Sequence, residues 1–411
     1  MYDLIIIGGG AAGFFTAINA AEKNKNLKIA ILERGREVLQ KVKVSGGGRC
    51  NVTHACFEPS ALVNYYPRGN QELLAPFQQF NPTHTIEWFE KRGVRIKKEA
   101  DGRMFPLSNS SQSIIDCFIE ACYQSRIEII KNTRVESIEN VGNEWRLNTI
   151  GDKQYQTKKL MIATGSDTAV WKLLQNLDLN IVRPVPSLFT FNIKDERLED
   201  LMGISVENVL CQLGDAKNKA LSAFSSKGAI LITHWGLSGP AILKLSAWGA
   251  RALNEANYEF DVIVNWLGKT DTESIRQHLH QQIVNQPKKN VLANAEFGLS
   301  IRLWKSLCAA AGIGEYQKWA ETGKKHIAKL VEQLTASRLR VNGKSTFKEE
   351  FVTAGGVDLA EIDFDTFSLK KYPNLYMAGE VLNIDAITGG FNFQAAWTGG
   401  WIAAQNIANS L

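Results

Sequence analysis

The chain has no cysteine pair at C-x-x-C spacing and no histidine pair at zinc spacing. Its six cysteines, Cys50, Cys56, Cys117, Cys122, Cys211 and Cys308, stand apart. That excludes a spacing-defined zinc module, so no metal is expected, and it points to a reduced, cytoplasmic compartment. No dense Lys/Arg block occurs, and the net charge is only +5 over 411 residues. There is thus no positive case for nucleic acid, and none is expected as a partner. The one long apolar stretch, residues 4–21, contains three consecutive glycines, Thr16 and Asn19, and only Met-Tyr-Asp precedes it. It reads as neither signal peptide nor membrane span, and no membrane association is expected. Repeats and low-complexity segments are absent too. The remaining 45% hydrophobic and 22% charged composition is that of a globular protein with room for two or three domains.

What is present begins at the N-terminus. Leu4 to Ile7 reads as a buried strand, and Gly8-Gly9-Gly10-Ala11-Ala12-Gly13 follows it directly. Gly8, Gly10 and Gly13 provide a tight turn, a close backbone approach and tight helix packing. The helix that starts there directs free N–H groups at a pyrophosphate. Lys28 to Leu32 is a second strand, and Glu33, twenty residues past Gly13, is placed to accept from a ribose diol.

Further strands and helices alternate as far as Gly165. His84 to Arg92 and Ser110 to Ser125 read as helices, and Val94 to Lys98 and Ile127 to Lys131 as strands. Thr133 to Lys159 reads as an antiparallel meander with turns at Gly142-Asn143 and Gly151-Asp152, and Leu160 to Gly165 as a separate apolar strand. The character changes near Pro184-Val185-Pro186. From Leu188 the pattern predicts strands over 188–193, 206–213, 219–224, 229–232 and 259–264, then helices from Asp271 to Leu339. The expected organisation is a discontinuous nucleotide domain, 1–187 and 344–411, carrying an inserted substrate or cap domain, 188–343. The first domain resumes at about Phe351, and a last helix runs from about Gln394 to the end.

Three later segments bear on the cofactor. Ser45-Gly46-Gly47-Gly48-Arg49-Cys50-Asn51 is a loop rich in backbone donors, suited to the second half of a long dinucleotide. Leu160 to Gly165 ends in Ala-Thr-Gly, which lets backbone pass close to a cofactor. Gly379, Glu380 and Asp385 precede the turn Gly389-Gly390-Phe391-Asn392, whose following helix can stabilise an anionic flavin edge.

The combination of GGGAAG, SGGGRCN, IATGS, TAGGV and MAGEV…DAITGGFNFQAAWTGG resembles the bacterial NAD(P)/FAD-dependent oxidoreductases labelled aminoacetone-oxidase-like flavoproteins. That family also includes enzymes related to the bile-acid 3-oxo-delta-4,6-reductase. The likeness spans nearly the whole chain. It implies an α/β fold, a Rossmann-type FAD/NAD(P)-binding domain with an antiparallel meander, interrupted by an inserted domain of strands followed by helices. It also implies non-covalent FAD. By this resemblance Gly10, Ala12, Glu33 and Arg34 lie along the adenosine and pyrophosphate, and Val135 meets the adenine by its backbone. Gly47, Arg49, Cys50 and Asn51 approach the ribityl chain and ring. Thr164, Gly165, Gly379, Glu380, Asn392, Gln394 and Ala395 complete the site. Gly8, Ala11, Gly13, Ser45, Gly46, Gly48, Asp385, Gly390 and Phe391 are further cofactor candidates within the motifs. Members carry a Gly-Arg-Lys-Leu-like stretch where this chain has Val38 to Val44, with Lys41 as its candidate for the phosphates. No second G-x-G-x-x-G occurs, so NAD(P)H is expected only as a transient co-substrate.

Catalytic candidates are Arg49, Cys50 and His234. Arg49 suits a reduced flavin or an anionic substrate. Cys50 and Cys56 are separated by five residues, where flavin disulfide reductases use four, so a redox disulfide is the lesser reading. Histidine is the side chain suited to proton transfer near neutral pH, which makes His234 a candidate proton donor, and Ser238 reads as an N-cap ahead of Pro240. A structural turn is the competing reading for both. The tryptophans of the insert read as core. The resulting expectation is hydride transfer at the flavin N5 from NAD(P)H to a small carbonyl acceptor, unsaturated ones included, or to O2. A dithiol oxidoreductase, a flavin-holding redox sensor and an RNA-modifying flavoenzyme stay open, and the modest charge argues against the last. The sequence leaves the oligomeric state undetermined.

Overall fold

The computed structural model describes residues 1–214, 219–268, 271–345 and 352–411. Two compact units divide the chain, Met1–Val185 with Lys348–Leu411, and Pro186–Phe347.

The first unit is built on a sheet whose main path runs Ile362–Asp363, Ser368–Leu369, Leu375–Met377, Lys153–Ile162, Tyr2–Ile7, Ile29–Leu32, Glu128–Ile130. From Leu375–Met377 onward the neighbours are parallel. Leu4, Ile5, Ile6, Ala30 and Ile31 are fully buried, the continuous apolar run expected of a strand covered on both faces. The meander and the strand after it prove to be continuous. Within Lys153–Ile162, Leu147 faces Tyr155 antiparallel and Ile5 faces Leu160 parallel. The exposed, alternating outer half gives way to a buried inner half, so one strand serves two neighbours.

The helix Ala11–Lys23 buries every residue from Ala12 to Ala21. It packs along the last helix, Phe391–Asn409, where a Cβ on Gly400 would come 3.1 Å from Ala12 O. Phe15 holds the first helix in an aromatic cluster, its ring centroid 4.6 Å from Trp88 and 5.1 Å from Trp397. Each such buried ring contributes about 1.5–3 kcal/mol over an exposed one. Asn19, buried within that helix, accepts from Trp88 Nε1 at 3.1 Å.

The second unit is a closed barrel in the order Thr190–Ile193, Gly236–Ser238, Ser225–Thr233, Ser205–Gly214, Glu259–Asn265, Ser337–Ser345. Closure leaves no open sheet edge. Val209, Cys211, Leu213, Ile230, Ile232, Phe260, Val262 and Val341 are fully buried in its core. Two sequence expectations are corrected here. Residues 219–224 do not form a strand: Lys219–Ala223 is a 3-10 turn, and the strand begins at Ser225. The helical stretch does not reach Leu339. It ends at Thr335, and Ser337–Ser345 is a strand in which Ser337, Leu339 and Val341 face inward in alternation. Phe351 lies outside the described residues. No described helix is long and apolar enough to cross a membrane.

Candidate flavin site

The first unit gathers its motifs at one end of the parallel sheet. At the fingerprint, a Cβ on Gly8 would lie 2.4 Å from Ala163 O, and one on Gly13 2.1 Å from Gly8 O. Both positions therefore exclude any side chain. Gly10 caps the helix with no side-chain hydrogen bond, and the first turn carries no acid. Its free N–H groups form a ready anion site beside Ala11 and Ala12.

Glu33 closes this turn. Its Oε2 accepts from Gly9 N at 2.8 Å and its Oε1 from Gly35 N at 2.6 Å. Arg34 pairs with Asp167 at 2.5 Å, and Asp167 caps the helix Thr168–Gln175. Val135 is buried at the start of its strand, opposite Thr149.

Three distant segments converge next to the fingerprint. A Cβ on Gly379 would lie 3.4 Å from Ala12 Cβ and 3.8 Å from Ala396 Cβ. Lys41 forms an ion pair with Glu380, and a Cβ on Gly165 would come 3.6 Å from Glu380 Oε2 and 3.9 Å from Lys41 Nζ. The hydroxyl Oγ1 of Thr164 is buried without a hydrogen-bond partner.

The Ser45–Asn51 loop is a broken helix end. Gln40–Gly48 loses helical geometry at Ser45, and Gly46, Gly47 and Gly48 all take positive φ. At Gly47 and Gly48 a Cβ would meet nothing within 4 Å. Glycine is required there by backbone conformation, with open space above. Cys50 also has a positive φ, of 60°, and is fully buried. Burial pushes its thiol up to about 12, opposed by a Ser45 hydrogen bond. Cys56 is shifted up as well, by burial and then by Glu58, and all six cysteines are free. These are the surroundings of an inert thiol, the reverse of a reactive one. Asn51 Oδ1 accepts from Met104 N at 3.3 Å. Arg49 lies 3.9 Å over the Phe105 ring and pairs with Glu99 at 2.7 Å.

The Gly389–Asn392 turn adjoins this loop, since a Cβ on Gly390 would lie 2.6 Å from Thr53 O. Asn392 closes the turn, accepting from Ala386 N at 2.9 Å and donating to Ala386 O at 3.1 Å. Gln394 faces inward. Its Oε1 accepts from Thr53 at 2.6 Å and Thr85 at 2.9 Å, and its Nε2 donates to Thr398 at 3.1 Å. Its side chain thus serves the core, as does the buried Ala395. Asp385 is fully buried in an ion pair with Arg68, which clamps the turn's approach.

Sequence reasoning missed Arg68 and His54. The His54 ring stacks on Phe391 at 4.6 Å, with Tyr65 on the same ring at 4.3 Å. Its Nε2 lies 3.2 Å from Asp101 O, so the proton sits there, and Nδ1 is buried without a partner. Burial holds its pKa below the ordinary value, against opposing effects of Asp101. The Cys-Asn-Val-Thr-His run beside the loop was the available signal. His234 belongs to the other unit, in a turn with its ring 4.3 Å from that of Trp235. Ser238 is not a cap. It ends a strand, and the helix Pro240–Trp248 starts from Gly239, whose φ of 98° suits glycine.

The residues present fit an FAD. This unit carries an uncapped helix start, a turn closed by Glu33, an orphaned buried hydroxyl at Thr164 and a glycine cradle with open space at Gly47 and Gly48. Among the described residues, no group of His, Cys, Asp or Glu is arranged to hold a metal ion.

Fold and site together define a Rossmann-type enzyme of the FAD oxidoreductase kind. The chain belongs to the HI0933-like family: the HI0933-like protein Rossmann domain matches residues 2–406. It is 30% identical to the ribosomal RNA dihydrouridine synthase of Escherichia coli K12, over 99% of this chain and 98% of that protein. It is 24% identical to the 3-dehydro-bile acid delta(4,6)-reductase of Clostridium scindens, over 98% of each. Among solved structures, the 3-ketosteroid-delta4-(5alpha)-dehydrogenase of Rhodococcus jostii RHA1 shares the fold. Its TM-score is 0.52 at 12% identity, over 99% of this chain and 96% of that one.

Proposed function

We propose that this protein is an FAD-dependent reductase acting on a carbon–carbon double bond conjugated to a carbonyl, and that the bond is the 5,6 bond of a uracil ring in ribosomal RNA. The observation that carries this reading is the 30% identity to a ribosomal RNA dihydrouridine synthase over 99% of the chain. The bile-acid relative supports the chemistry, because its name also describes reduction of an unsaturated system. In both cases the carbonyl polarises the double bond and makes its far carbon a hydride acceptor.

A bound FAD supplies the N5 position that relays hydride between donor and acceptor. NAD(P)H loses the hydride and becomes NAD(P)+. Uracil would gain that hydride at C6 and a proton from water at C5, giving dihydrouracil. The chain's own residues bind and orient. The helix start at Gly10 would hold the pyrophosphate, and the Glu33 turn would hold the adenosine ribose. Thr164 and the Lys41–Glu380 pair would border the middle of the cofactor. The Gly46–Gly48 cradle and the turn before Phe391 would border the ring. His54, its pKa lowered by burial, is neutral near pH 7 and packs its ring on Phe391 beside that turn. A dithiol route requires a thiolate at Cys50, which its burial opposes.

The test uses ribosomal RNA from a strain lacking the gene, the flavin-loaded protein, and NADPH or NADH. Nucleoside mass spectrometry should find uridine heavier by two hydrogen atoms. No dihydrouridine with either donor, together with reduction of a 3-oxo-4-ene steroid, would replace RNA by a small-molecule acceptor.

A further inference from the structure

The whole-chain charge of +5 hides an uneven distribution. Residues 186–347 hold 20 Lys/Arg against 15 Asp/Glu, a net of +5, which equals the chain's own 47 against 42. The nucleotide-binding unit is therefore neutral overall, and the excess positive charge belongs entirely to the inserted unit.

Within that unit a group of lysines shares one end of the helical part. The segment after the helix Thr272–Asn285 runs beside the segment 315–320. Trp319 N donates to Lys289 O at 3.0 Å, Ala320 N to Pro287 O at 2.9 Å, and Asn290 bridges to Lys318. Thr322 then closes a turn onto Trp319 and Lys318, and the helix Lys324–Thr335 starts two residues later. Lys288, Lys318, Lys324 and Lys325 are all exposed, and none has an ion pair among the described residues. Lys324 and Lys325 occupy a first turn without acids, where their charge opposes the helix dipole. Helix stability does not explain them. Tyr316, in the same segment, is 81% exposed, while Trp319 beneath is 2% exposed and anchors the backbone. The acids nearby are Glu315, which is exposed, and Glu321, whose Oε2 accepts from Lys318 N at 3.0 Å.

We infer that this end of the inserted unit is a docking surface for RNA, with the four lysines on phosphates and Tyr316 stacked on an unpaired base. Unpaired cations beside an exposed aromatic are what a single-stranded or looped RNA segment requires. The inference rests on the ribosomal RNA reading above and names the surface that carries it.

Filter binding of protein-free ribosomal RNA to the flavin-loaded full chain, across a sodium chloride series, tests it. The variant Lys288→Ala/Lys318→Ala/Lys324→Ala/Lys325→Ala should bind at least about tenfold more weakly, and its log–log salt slope should fall by about 3, at roughly 0.7–0.9 per phosphate contact. Tyr316→Ala should lose about five- to a hundredfold in affinity, the effect of one lost base stack. A control, Lys23→Ala/Lys25→Ala/Lys91→Ala/Lys98→Ala, removes equal charge from the nucleotide-binding unit and should bind like wild type. Flavin content checks folding of all three. Wild-type affinity and slope in the fourfold lysine variant would overturn the surface, as would equal loss in the control. Equal losses on heparin and RNA with no effect of Tyr316→Ala would make it a general polyanion surface and overturn the RNA assignment. If wild type binds RNA through these lysines yet forms no dihydrouridine, the docking surface stands and the proposed reaction fails.

Discussion

Glu33→Ala should weaken FAD binding by roughly thirtyfold, for a reason broader than a lost ribose contact. In the folded chain both carboxylate oxygens already accept from backbone, Gly9 N at 2.8 Å and Gly35 N at 2.6 Å. Those bonds hold the fingerprint turn and the turn after the second strand in one geometry. A hydrogen bond to a charged group contributes about 1.5–3 kcal/mol. Glu33 is only partly buried, so water replaces some of what alanine removes, and a net loss of about 2 kcal/mol follows, equivalent to about thirtyfold. Glu33→Gln should not restore it, because an amide keeps one acceptor and turns N–H donors toward the other backbone N–H. The assay is fluorescence titration of deflavinated protein with FAD, paired with denaturant unfolding of the apoprotein. The apoprotein should lose stability along with affinity. Unchanged FAD affinity and unchanged apoprotein stability in Glu33→Ala would refute the reasoning. Lost affinity with full recovery in Glu33→Gln would assign the effect to the ribose alone.

The purified protein should be yellow and should release intact FAD on heating; FMN alone, or no flavin, in the supernatant contradicts the site. Cys50→Ser should retain FAD and NAD(P)H oxidation, and native Cys50 should resist iodoacetamide between about pH 6 and 9, because its thiol is pushed up to about 12; parallel loss of activity in Cys50→Ser and Cys56→Ser would revive the dithiol route. Arg68→Ala removes the ion-pair partner of the fully buried Asp385 and should destabilise the first unit by about 3–5 kcal/mol, read by denaturant unfolding, whereas Arg68→Ala/Asp385→Asn should recover part of it. His54 has a folded pKa below its ordinary value, so its neutral burial favours folding fully above about pH 6.5 and loses effect as pH falls below that value toward the folded one. His54→Gln should flatten that part of the stability profile, and an unchanged profile would place the titration elsewhere.

The local features of the nucleotide-binding unit were legible because their causes are local. Strand, glycine turn, helix and acid all lie within residues 4–33, so their order and spacing can be read from one short stretch of chain. The meander was legible for the same reason, since Gly142-Asn143 and Gly151-Asp152 form their turns from their own backbone preferences, with Gly142, Gly151 and Asp152 at positive φ. Periodicity failed where partners decide. Residues 337–345 alternate over too short a run to outweigh the helix before them, and pairing with Thr190–Ile193 and Glu259–Asn265 makes them a barrel strand.

Tertiary structure alone decided what each polar residue does. Asp385 carries the acidic signal of a cofactor ligand, but Arg68, 317 positions away, takes its charge into a buried pair. Gln394 carries an amide at a helix start, but Thr53, Thr85 and Thr398 bind it inside the core. Lys41 has no phosphate motif around it, and its pairing with Glu380 brings it beside Gly165. A backbone conformation is set largely by the residue that adopts it, so glycine patterns declare themselves in sequence. A side chain's partner is set by where the chain returns, and only the folded molecule holds that information.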